Sequence, residues 1–350
     1  MANVSATTRK RTYLEGLVQV LSIGDEPHTD RESPGNPGAQ SSGRRLHQPV
    51  LLEEAIESLA VKPAGVYLDV TVGTAGHARA ILARLGPEGL LVGVDRDAEV
   101  LEVARRQLEG VRSAAQFVLQ PGDFAAVDGV CEELGVGAVD GVLADLGMSS
   151  WQLESAERGF SHAAEGPLDM RFDRQQRAAA ADLIERYSEA QLAEVFFRYG
   201  EEPFSRRIAR AIVRRRRQEP IRTTTQLAEV VRSAVPPRAR AGALARTFQA
   251  LRLALNRELE SLDRFLKVVP RLLAPGGRLV VISFHSLEDG RVKRALREGQ
   301  RAGILRRLSA KPVRPTEEEV ARNPRSRSAR LRAAEKLVLT GLAAPQGGDR

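Results

Sequence analysis

Residues 66–77 constrain the fold more than any other part of the sequence. Residues 66–70 form a short apolar, β-branched run that includes Asp69, and the loop after it carries Gly73 and Gly76. Residues 77–85 then place their apolar side chains at helical spacing. Glycine lets a backbone turn sharply and lets a ligand approach the main chain without a Cβ atom in the way. This order of strand, glycine loop and helix predicts an α/β fold with a ligand pocket beside the loop.

The alternation of strands and helices continues as far as Asp145. Further strands are predicted at 90–94, 116–119 and 138–144, with a helix at 100–108. Such alternation implies a parallel sheet with helices on both faces. Ligands of these sheets gather at the carboxyl ends of the strands.

After Asp145 the pattern is helical, and it later returns to α/β. Helices are predicted first, at 188–199, 205–217 and 225–234. A long amphipathic helix then spans 248–272 and stops at a Pro-Gly-Gly sequence. The other predicted elements are a strand at 278–283, a helix at 290–298 and weaker strands at 304–310 and 328–336. Together they would complete a seven-stranded sheet.

These patterns divide the chain into predicted regions. The first residues are rich in proline, glycine and serine without periodicity, which is typical of disorder. The predicted regions are a disordered extension at 1–44, an α/β domain formed by 45–150 and 247–340, an inserted helical domain at 151–246, and a disordered tail at 341–350.

Composition narrows the class of protein. A single cysteine, Cys131, excludes an intramolecular disulfide, and the five histidines are scattered, so no metal site is expected. No apolar run approaches the roughly 20 residues that span a bilayer, and we expect a cytoplasmic protein without a membrane. The net charge is +8, and arginines cluster between 206 and 217, including Arg214 and Arg215. This cluster fits a nucleic-acid partner, and it fits a solvated helix face equally well.

The loop and Asp95 together predict a nucleotide-type cofactor. Asp95 ends the second predicted strand, where a carboxylate can accept hydrogen bonds from both ribose hydroxyls of an adenosine. The dinucleotide fingerprint Gly-x-Gly-x-x-Gly is broken because Ala75 stands at its second glycine. S-adenosylmethionine has no pyrophosphate and needs only room beside the loop. The sequence therefore favours it over a nicotinamide cofactor, with a Rossmann dehydrogenase as the alternative.

Asp145 follows the strand at 138–144 and is the candidate catalytic residue. An exocyclic amine of a base is a poor nucleophile, and an ionised aspartate could hold its N–H and receive the proton during methyl transfer. The same position suits an aspartate that caps the next turn or holds the cofactor. Both interpretations stay open.

A second polar group follows the strand at 278–283. Phe284 could stack on a base and His285 could bind its edge. A strand-to-helix turn with Ser286 as the N-cap explains the same residues.

Several ordered blocks resemble one known family, the RsmH (MraW) methyltransferases. The blocks are residues 47–52, 73–77, 145–153, 157–161, 166–171, 246–250 and 283–289. The likeness covers about residues 47–336. It implies a class I methyltransferase fold with a helical insertion, S-adenosylmethionine as methyl donor, and 16S rRNA of the small ribosomal subunit as substrate. The modified group would be the N4 amine of a cytidine in the decoding centre.

The resemblance also assigns the cofactor contacts, which leaves the part of Asp145 in proton removal open. The implied contacts are Ala75, Gly76, His77, Asp95, Phe124, Asp145 and Gln152. The weaker substrate-binding candidates are Arg214, Arg215, Phe284, His285 and Ser286. Two positions depart from the family pattern. Ala75 replaces a glycine, at little cost if its φ is negative, and Trp151 stands where a proline is common.

Two alternatives to this function remain. The first is a methyltransferase of the same fold that acts on DNA or on another RNA. The blocks at 166–171 and 246–250 argue against it. The second is a ribosome-binding assembly factor that has lost catalysis, which fits poorly with the retained Asp95, Asp145 and Gln152. The sequence predicts no particular oligomeric state.

Overall fold

The computed structural model describes residues 49–338. The predicted disordered regions at 1–44 and 341–350 lie outside the described residues, as do the first residues of the block at 47–52. The strands are β1 Val66–Asp69, β2 Leu90–Asp95, β3 Gln116–Pro121, β4 Val139–Asp145, β5 Leu273–Ser283, β6 Leu305–Arg307 and β7 Arg330–Lys336.

These strands form one seven-stranded sheet in the order β3-β2-β1-β4-β5-β7-β6. The first five strands run parallel, with Leu68 opposite both Val92 on β2 and Val142 on β4. The last two strands are antiparallel to their neighbours, in a part of the chain where strands were predicted without a direction. The cause is topological, since β7 returns from the edge strand β6 and inserts beside β5. This sheet is that of class I S-adenosylmethionine-dependent methyltransferases, which confirms the predicted fold class.

Helices cover the sheet and fill the segment between β4 and β5. Five helices of eight residues or fewer, namely the first, fourth, fifth, sixth and last, were not predicted because they are too short to show a clear period. The helices are α1 Leu52–Leu59, α2 Gly76–Leu82, α3 Ala98–Glu109, α4 Val127–Glu133, α5 Ser150–Glu154, α6 Ala180–Arg186, α7 Glu189–Gly200, α8 Ser205–Arg216, α9 Thr224–Ala234, α10 Arg240–Asn256, α11 Glu258–Leu272, α12 Ser286–Arg301 and α13 Glu317–Arg322.

Each face of the sheet has its own apolar core. Successive strand residues alternate between the faces, so Val142 and Ala144 pack on one side and Leu143 on the other. Helices α4, α11 and α12 cover the first face, and α1, α2 and α3 cover the second. Strands buried on both faces read as continuous apolar runs, which is why β2 was visible in the sequence.

The described chain between β4 and β5 contains helices, short 3₁₀ turns and one isolated bridge, Pro167 to Thr223, but no strand. Its helices enclose a third core around Phe196, Ile212 and Leu227. Helix α10 contributes Leu251 to this core. The helical segment thus buries its own apolar surface beside the sheet.

The helix predicted at 248–272 is two helices, so that prediction is wrong. Arg257 has φ 52° and ψ 38° and separates α10 from α11. The apolar spacing runs through this break, so periodicity alone could not show it. Asn256 stabilises the joint by donating to the Met170 and Arg252 carbonyls and accepting from the Phe172 N–H. The break lets α10 pack in the helical core while α11 packs on the sheet.

Strand β5 begins at Leu273, five residues before the predicted start at Arg278. The Pro-Gly-Gly sequence at 275–277 lies inside the strand, where the pairing with β4 shifts register between Val139 and Gly141. A Cβ atom on Gly277 would lie 2.8 Å from the Val139 carbonyl oxygen. Glycine therefore permits an irregularity in the strand here rather than ending a helix.

Candidate active site

A pocket opens where the strand order reverses, between β1 and its two neighbours β2 and β4. This is the position at which open α/β sheets bind ligands. Seven predicted site residues line the pocket, namely Gly76, His77, Asp95, Phe124, Asp145, Gln152 and Phe284. Five others do not line it, namely Ala75, Arg214, Arg215, His285 and Ser286.

Ala75 lies in the wall behind the pocket, in a left-handed conformation. Its φ is 66° and its ψ is 25°, its side chain is fully buried, and its N–H donates to the Val72 carbonyl at 2.8 Å. Alanine would replace glycine at little energetic cost only if φ were negative, and this condition is not met. A residue with a Cβ atom costs about 1–2 kcal/mol in this conformation. Gly76 beside it faces Pro49, 3.0 Å from where its own Cβ would be.

Asp95 is held by the backbone at the end of β2. Its two carboxyl oxygens accept the N–H groups of Gly73 and Asp97, each at 3.0 Å. Burial raises the pKa of Asp95 to about 6, although these two hydrogen bonds oppose the rise. The glycine loop and the acid are thus one structural unit. A hydroxyl pair that donates to this carboxyl would favour its ionised form.

Asp145 and His77 face each other across the pocket floor. His77 Nε2 lies 3.0 Å from the Val50 carbonyl, and His77 Nδ1 lies 3.6 Å from Asp145 Oδ2. Asp145 Oδ1 is buried and accepts no hydrogen bond from the described residues. Burial, and then the charges of Asp69 and Glu288, raise the pKa of Asp145 well above its usual range. The expectation of an ordinary, ionised aspartate is corrected accordingly.

Gln152 connects the pocket to a buried ion pair. Its side chain caps α5 by accepting the Ser149 N–H at 2.9 Å, and its amide donates to Asp97 at 2.8 Å. Asp97 pairs with Arg158 at 2.7 Å, and both side chains are almost fully buried. Arg158 also donates to the carbonyls of Arg171 and Phe172. The block at 157–161 therefore anchors the helical segment to this side of the pocket.

Phe124 forms an aromatic wall on the side of Asp95. Its ring packs edge-to-face against Phe265, with centroids 5.6 Å apart, and the Arg96 guanidinium lies 5.8 Å from its centroid. Arg96 pairs with Asp123 and donates to the Asn256 carbonyl and the Ser261 hydroxyl, both at 2.6 Å. Such a wall suits a flat ring system that stacks on Phe124 next to Asp95.

The polar group after β5 forms a strand-to-helix turn whose N-cap differs from the predicted one. His285, not Ser286, is the N-cap of α12, with Nδ1 accepting the Glu288 N–H at 3.4 Å. The hydroxyl of Ser286 contacts Glu201 instead. His285 Nε2 lies 3.0 Å from Glu288, whose other oxygen accepts the Phe284 N–H. Burial disfavours the charge of Glu288, but His285 and these bonds outweigh it and lower its pKa.

Some arginines of the run at 214–217 bond to other protein groups, and the others are exposed. Arg215 pairs with Glu219 at 2.6 Å, and Arg216 donates to the carbonyls of Ile184 and Tyr187. Arg214 and Arg217 are exposed. The run lies on the helical segment, away from the pocket lining.

Sequence reasoning missed several residues of the pocket wall. Glu258 lines it because the helix break at Arg257 turns the start of α11 towards the site, and periodicity gave no sign of that break. Burial raises the pKa of Glu258, while its ion pair with Arg252 opposes the rise. Arg325 arrives from the turn before β7, and its only sign in the sequence is the repeated arginine and serine at 325–332.

Comparison with known sequences decides the family. A sequence model described as the MraW methylase family matches residues 44–337. The chain belongs to this family. Its relatives include proteins named "Ribosomal RNA small subunit methyltransferase H" from Acidobacterium capsulatum and Nostoc sp., each 48% identical to it. The matches cover 84% of this chain and 99% and 94% of those proteins, respectively. The predicted family is thereby confirmed.

Among solved structures, the chain is similar to an rRNA methylase from Streptococcus thermophilus, with a TM-score of 0.39 and 9% identity. The match covers 84% of this chain and 99% of that one. Within residues 49–338, no group of three or more His, Cys, Asp or Glu side chains is arranged to bind a metal. No helix in the same range combines the length and apolar character needed to cross a bilayer.

Proposed function

We propose that this protein transfers a methyl group from S-adenosylmethionine to the exocyclic N4 amine of a cytidine in 16S rRNA, at the decoding centre of the small ribosomal subunit. The main observation in support of this proposal is the position of two acidic residues. The reversal of strand order brings the acid suited to a ribose, Asp95, and the unsatisfied acid Asp145 into one pocket. Membership of the MraW methylase family and the names of the relatives support the reaction class and the substrate.

The pocket suits S-adenosylmethionine better than a dinucleotide. Among the described residues, four carboxyl groups line it, from Asp95, Asp145, Glu258 and Glu288, and Asp145 Oδ1 is a buried acceptor without a partner. This charge favours a cationic sulfonium and ammonium and disfavours a pyrophosphate. We assign the cofactor's ribose to Asp95, its adenine to the wall formed by Phe124, and its amino-acid part to the loop at 73–77, near His77 and Gln152.

The cofactor supplies an activated methyl group on a cationic sulfur. The chain supplies position and a proton acceptor. A methylated amine must lose a proton, and Asp145 Oδ1, at the end of β4, accepts no hydrogen bond from any described residue and can receive it. A cation bound nearby lowers the raised pKa of Asp145, since opposite charges favour the ionised form. A larger fraction of Asp145 is therefore ionised, and able to accept a proton, when the pocket is loaded.

We place the target cytosine in the remaining part of the pocket. Phe284 and Phe172 line it and offer apolar faces for a base. A stacked cytosine hides its amine, so the target base must be extruded to reach Asp145. We propose that residues 45–150 and 247–340 form the catalytic domain and that residues 151–246 hold the RNA, with Arg214 on its exposed arginine face. We place this activity in the cytoplasm, where ribosomal subunits are assembled.

The test is a transfer reaction with purified components. The full-length protein is incubated with labelled S-adenosylmethionine and small subunits that lack the modification, and the rRNA nucleosides are separated by mass spectrometry. We expect N4-methylcytidine with the intact protein and a strong loss of it with Asp145→Ala.

The alternatives give different results in the same experiment. Label in another nucleoside, or in another RNA, would indicate a methyltransferase of different specificity. A protein without affinity for S-adenosylmethionine by calorimetry would be a non-catalytic assembly factor. Binding of a nicotinamide cofactor in its place would indicate a dehydrogenase.

A further inference from the structure

The pocket described above has an unusual balance of charge for a site that must accept a nucleotide. Four carboxyl groups line it, and a target nucleotide carries a phosphodiester on each side. Coulomb repulsion would oppose the approach of those phosphates. A cationic side chain at the pocket mouth would offset this repulsion.

Two arginines are found among the described lining residues, Arg96 and Arg325. The guanidinium of Arg96 is already bound by protein groups, since it pairs with Asp123 and donates to the Asn256 carbonyl and the Ser261 hydroxyl. Arg325 is different. It comes from the 3₁₀ turn Pro324–Ser328, and its side chain is 38% exposed.

The only ion pair of Arg325 among the described residues is with Glu154, at 3.2 Å. Glu154 ends α5 and is 51% exposed. Ion pairs between exposed side chains are weak and are readily exchanged for another anion. The guanidinium fork matches a phosphate or carboxylate with two parallel hydrogen bonds. Arg325 is thus held beside the pocket and is free to change partner.

We propose that Arg325 is the anion-binding group of this pocket and takes an anionic group of a reactant in place of Glu154. The exposure of Arg325 at the mouth makes the phosphodiester next to the target nucleotide the expected ligand. The carboxylate of S-adenosylmethionine offers the same chemistry from a second source. The identity of the anion rests on the proposed function, whereas the binding role of Arg325 does not.

The test compares Arg325→Ala with two matched controls. Arg327→Ala removes an exposed arginine of the same turn that does not line the pocket. Glu154→Ala breaks the same ion pair from its other side. Arg325→Lys keeps the charge but loses the fork, so it should retain part of the function. Two quantities are measured: the KM for unmodified small subunits, and the affinities for S-adenosylhomocysteine and 5′-methylthioadenosine, which lacks the amino-acid part.

A phosphodiester contact predicts that Arg325→Ala raises the KM for the subunit about 10- to 100-fold, as expected for a lost charged hydrogen bond, without changing either nucleoside affinity. A carboxylate contact predicts a similar loss of affinity for S-adenosylhomocysteine only. Both controls should stay near the intact protein.

The proposal is overturned if neither quantity changes. It is also overturned if Glu154→Ala reproduces the full effect, because the ion pair would then act only as a structural link. A protein that fails to modify rRNA contradicts the proposed function instead. In that case RNA binding measured by fluorescence anisotropy replaces KM, and the same variants still decide the role of Arg325.

Discussion

Replacing Asp69 by asparagine tests the electrostatics beneath the pocket. Asp69 ends β1, is 1% exposed, and accepts the Thr71 N–H at 3.3 Å. Burial raises its pKa from 3.8 to about 7; the Thr71 bond opposes the rise and the charge of Asp95 adds to it. Asparagine has the same shape and keeps an oxygen for the Thr71 N–H, but it does not ionise. The substitution therefore removes the penalty for a buried charge at Asp69, together with the contribution of that charge to the raised pKa of Asp145.

The magnitude follows from the linkage between ionisation and folding. The folded pKa lies above the unfolded one, so stability is lost as pH rises from about 4 to about 7. At about 1.36 kcal/mol per pKa unit, the penalty is roughly 1.5 kcal/mol near pH 5 and roughly 4 kcal/mol near pH 8. Asp69→Asn should therefore stabilise the protein by about 2–3 kcal/mol more at the higher pH than at the lower.

The assay is urea unfolding of both proteins at the two pH values. The stability change caused by Asp69→Asn is measured at each pH, and the two changes are subtracted. Effects of the substitution that do not depend on pH cancel in this difference. Asp173→Asn is the control, because Asp173 is exposed and keeps its local bond to the Gln175 N–H. A gain that is equal at both pH values, or a loss of stability at the higher one, would refute the reasoning about buried charge.

Four further predictions follow from particular residues. Asp145→Asn should lower kcat about 10²- to 10⁴-fold with a smaller loss of affinity for the cofactor, and kinetics near those of the intact enzyme would remove it from the mechanism. Arg158→Ala leaves the buried Asp97 without its cationic partner and should destabilise the protein by about 3–5 kcal/mol in urea unfolding. A change below about 1 kcal/mol would contradict the role of the ion pair. Ala75→Gly should change the free energy of unfolding by less than about 1 kcal/mol. Glycine relieves the strain of the left-handed backbone, but this gain is offset by the lost buried methyl group and by the greater freedom of the unfolded chain. A loss above about 2 kcal/mol in the same assay would be inconsistent with strain at this position. The double change of Arg214 and Arg217 to Ala should reduce the slope of log affinity against log salt by about 2, whereas Arg215→Ala, which removes an arginine already paired with Glu219, should leave it nearly unchanged.

The parallel part of the fold could be predicted because its strands have a clear local pattern. Strand β2 is buried on both faces, so its sequence is an uninterrupted apolar run that ends at an acid. The break at Arg257 could not be predicted, since the apolar spacing of α10 and α11 is continuous while they serve different cores. The reversed direction of β7 is likewise a property of long-range pairing and leaves no local trace.

The site could be predicted where a residue follows a strand directly. Asp95 and Asp145 end β2 and β4, so the carboxyl-end rule is enough to place both beside the loop from the sequence alone. The pKa of Asp145 could not be predicted, because it depends on burial and on Asp69 and Glu288, which come from different elements. Arg325 was missed for a related reason: a turn far along the chain places it at the pocket mouth.

The proposed reaction is the transfer of a methyl group to the N4 amine of a cytidine in small-subunit rRNA. The most direct measurement is mass spectrometry of rRNA nucleosides from cells that lack this gene, and from the same cells carrying the intact gene or the Asp145→Ala variant. We predict that N4-methylcytidine at the decoding-centre position is absent without the gene, returns with the intact gene, and does not return with the variant. Persistence of that nucleoside in the cells lacking the gene would contradict the account.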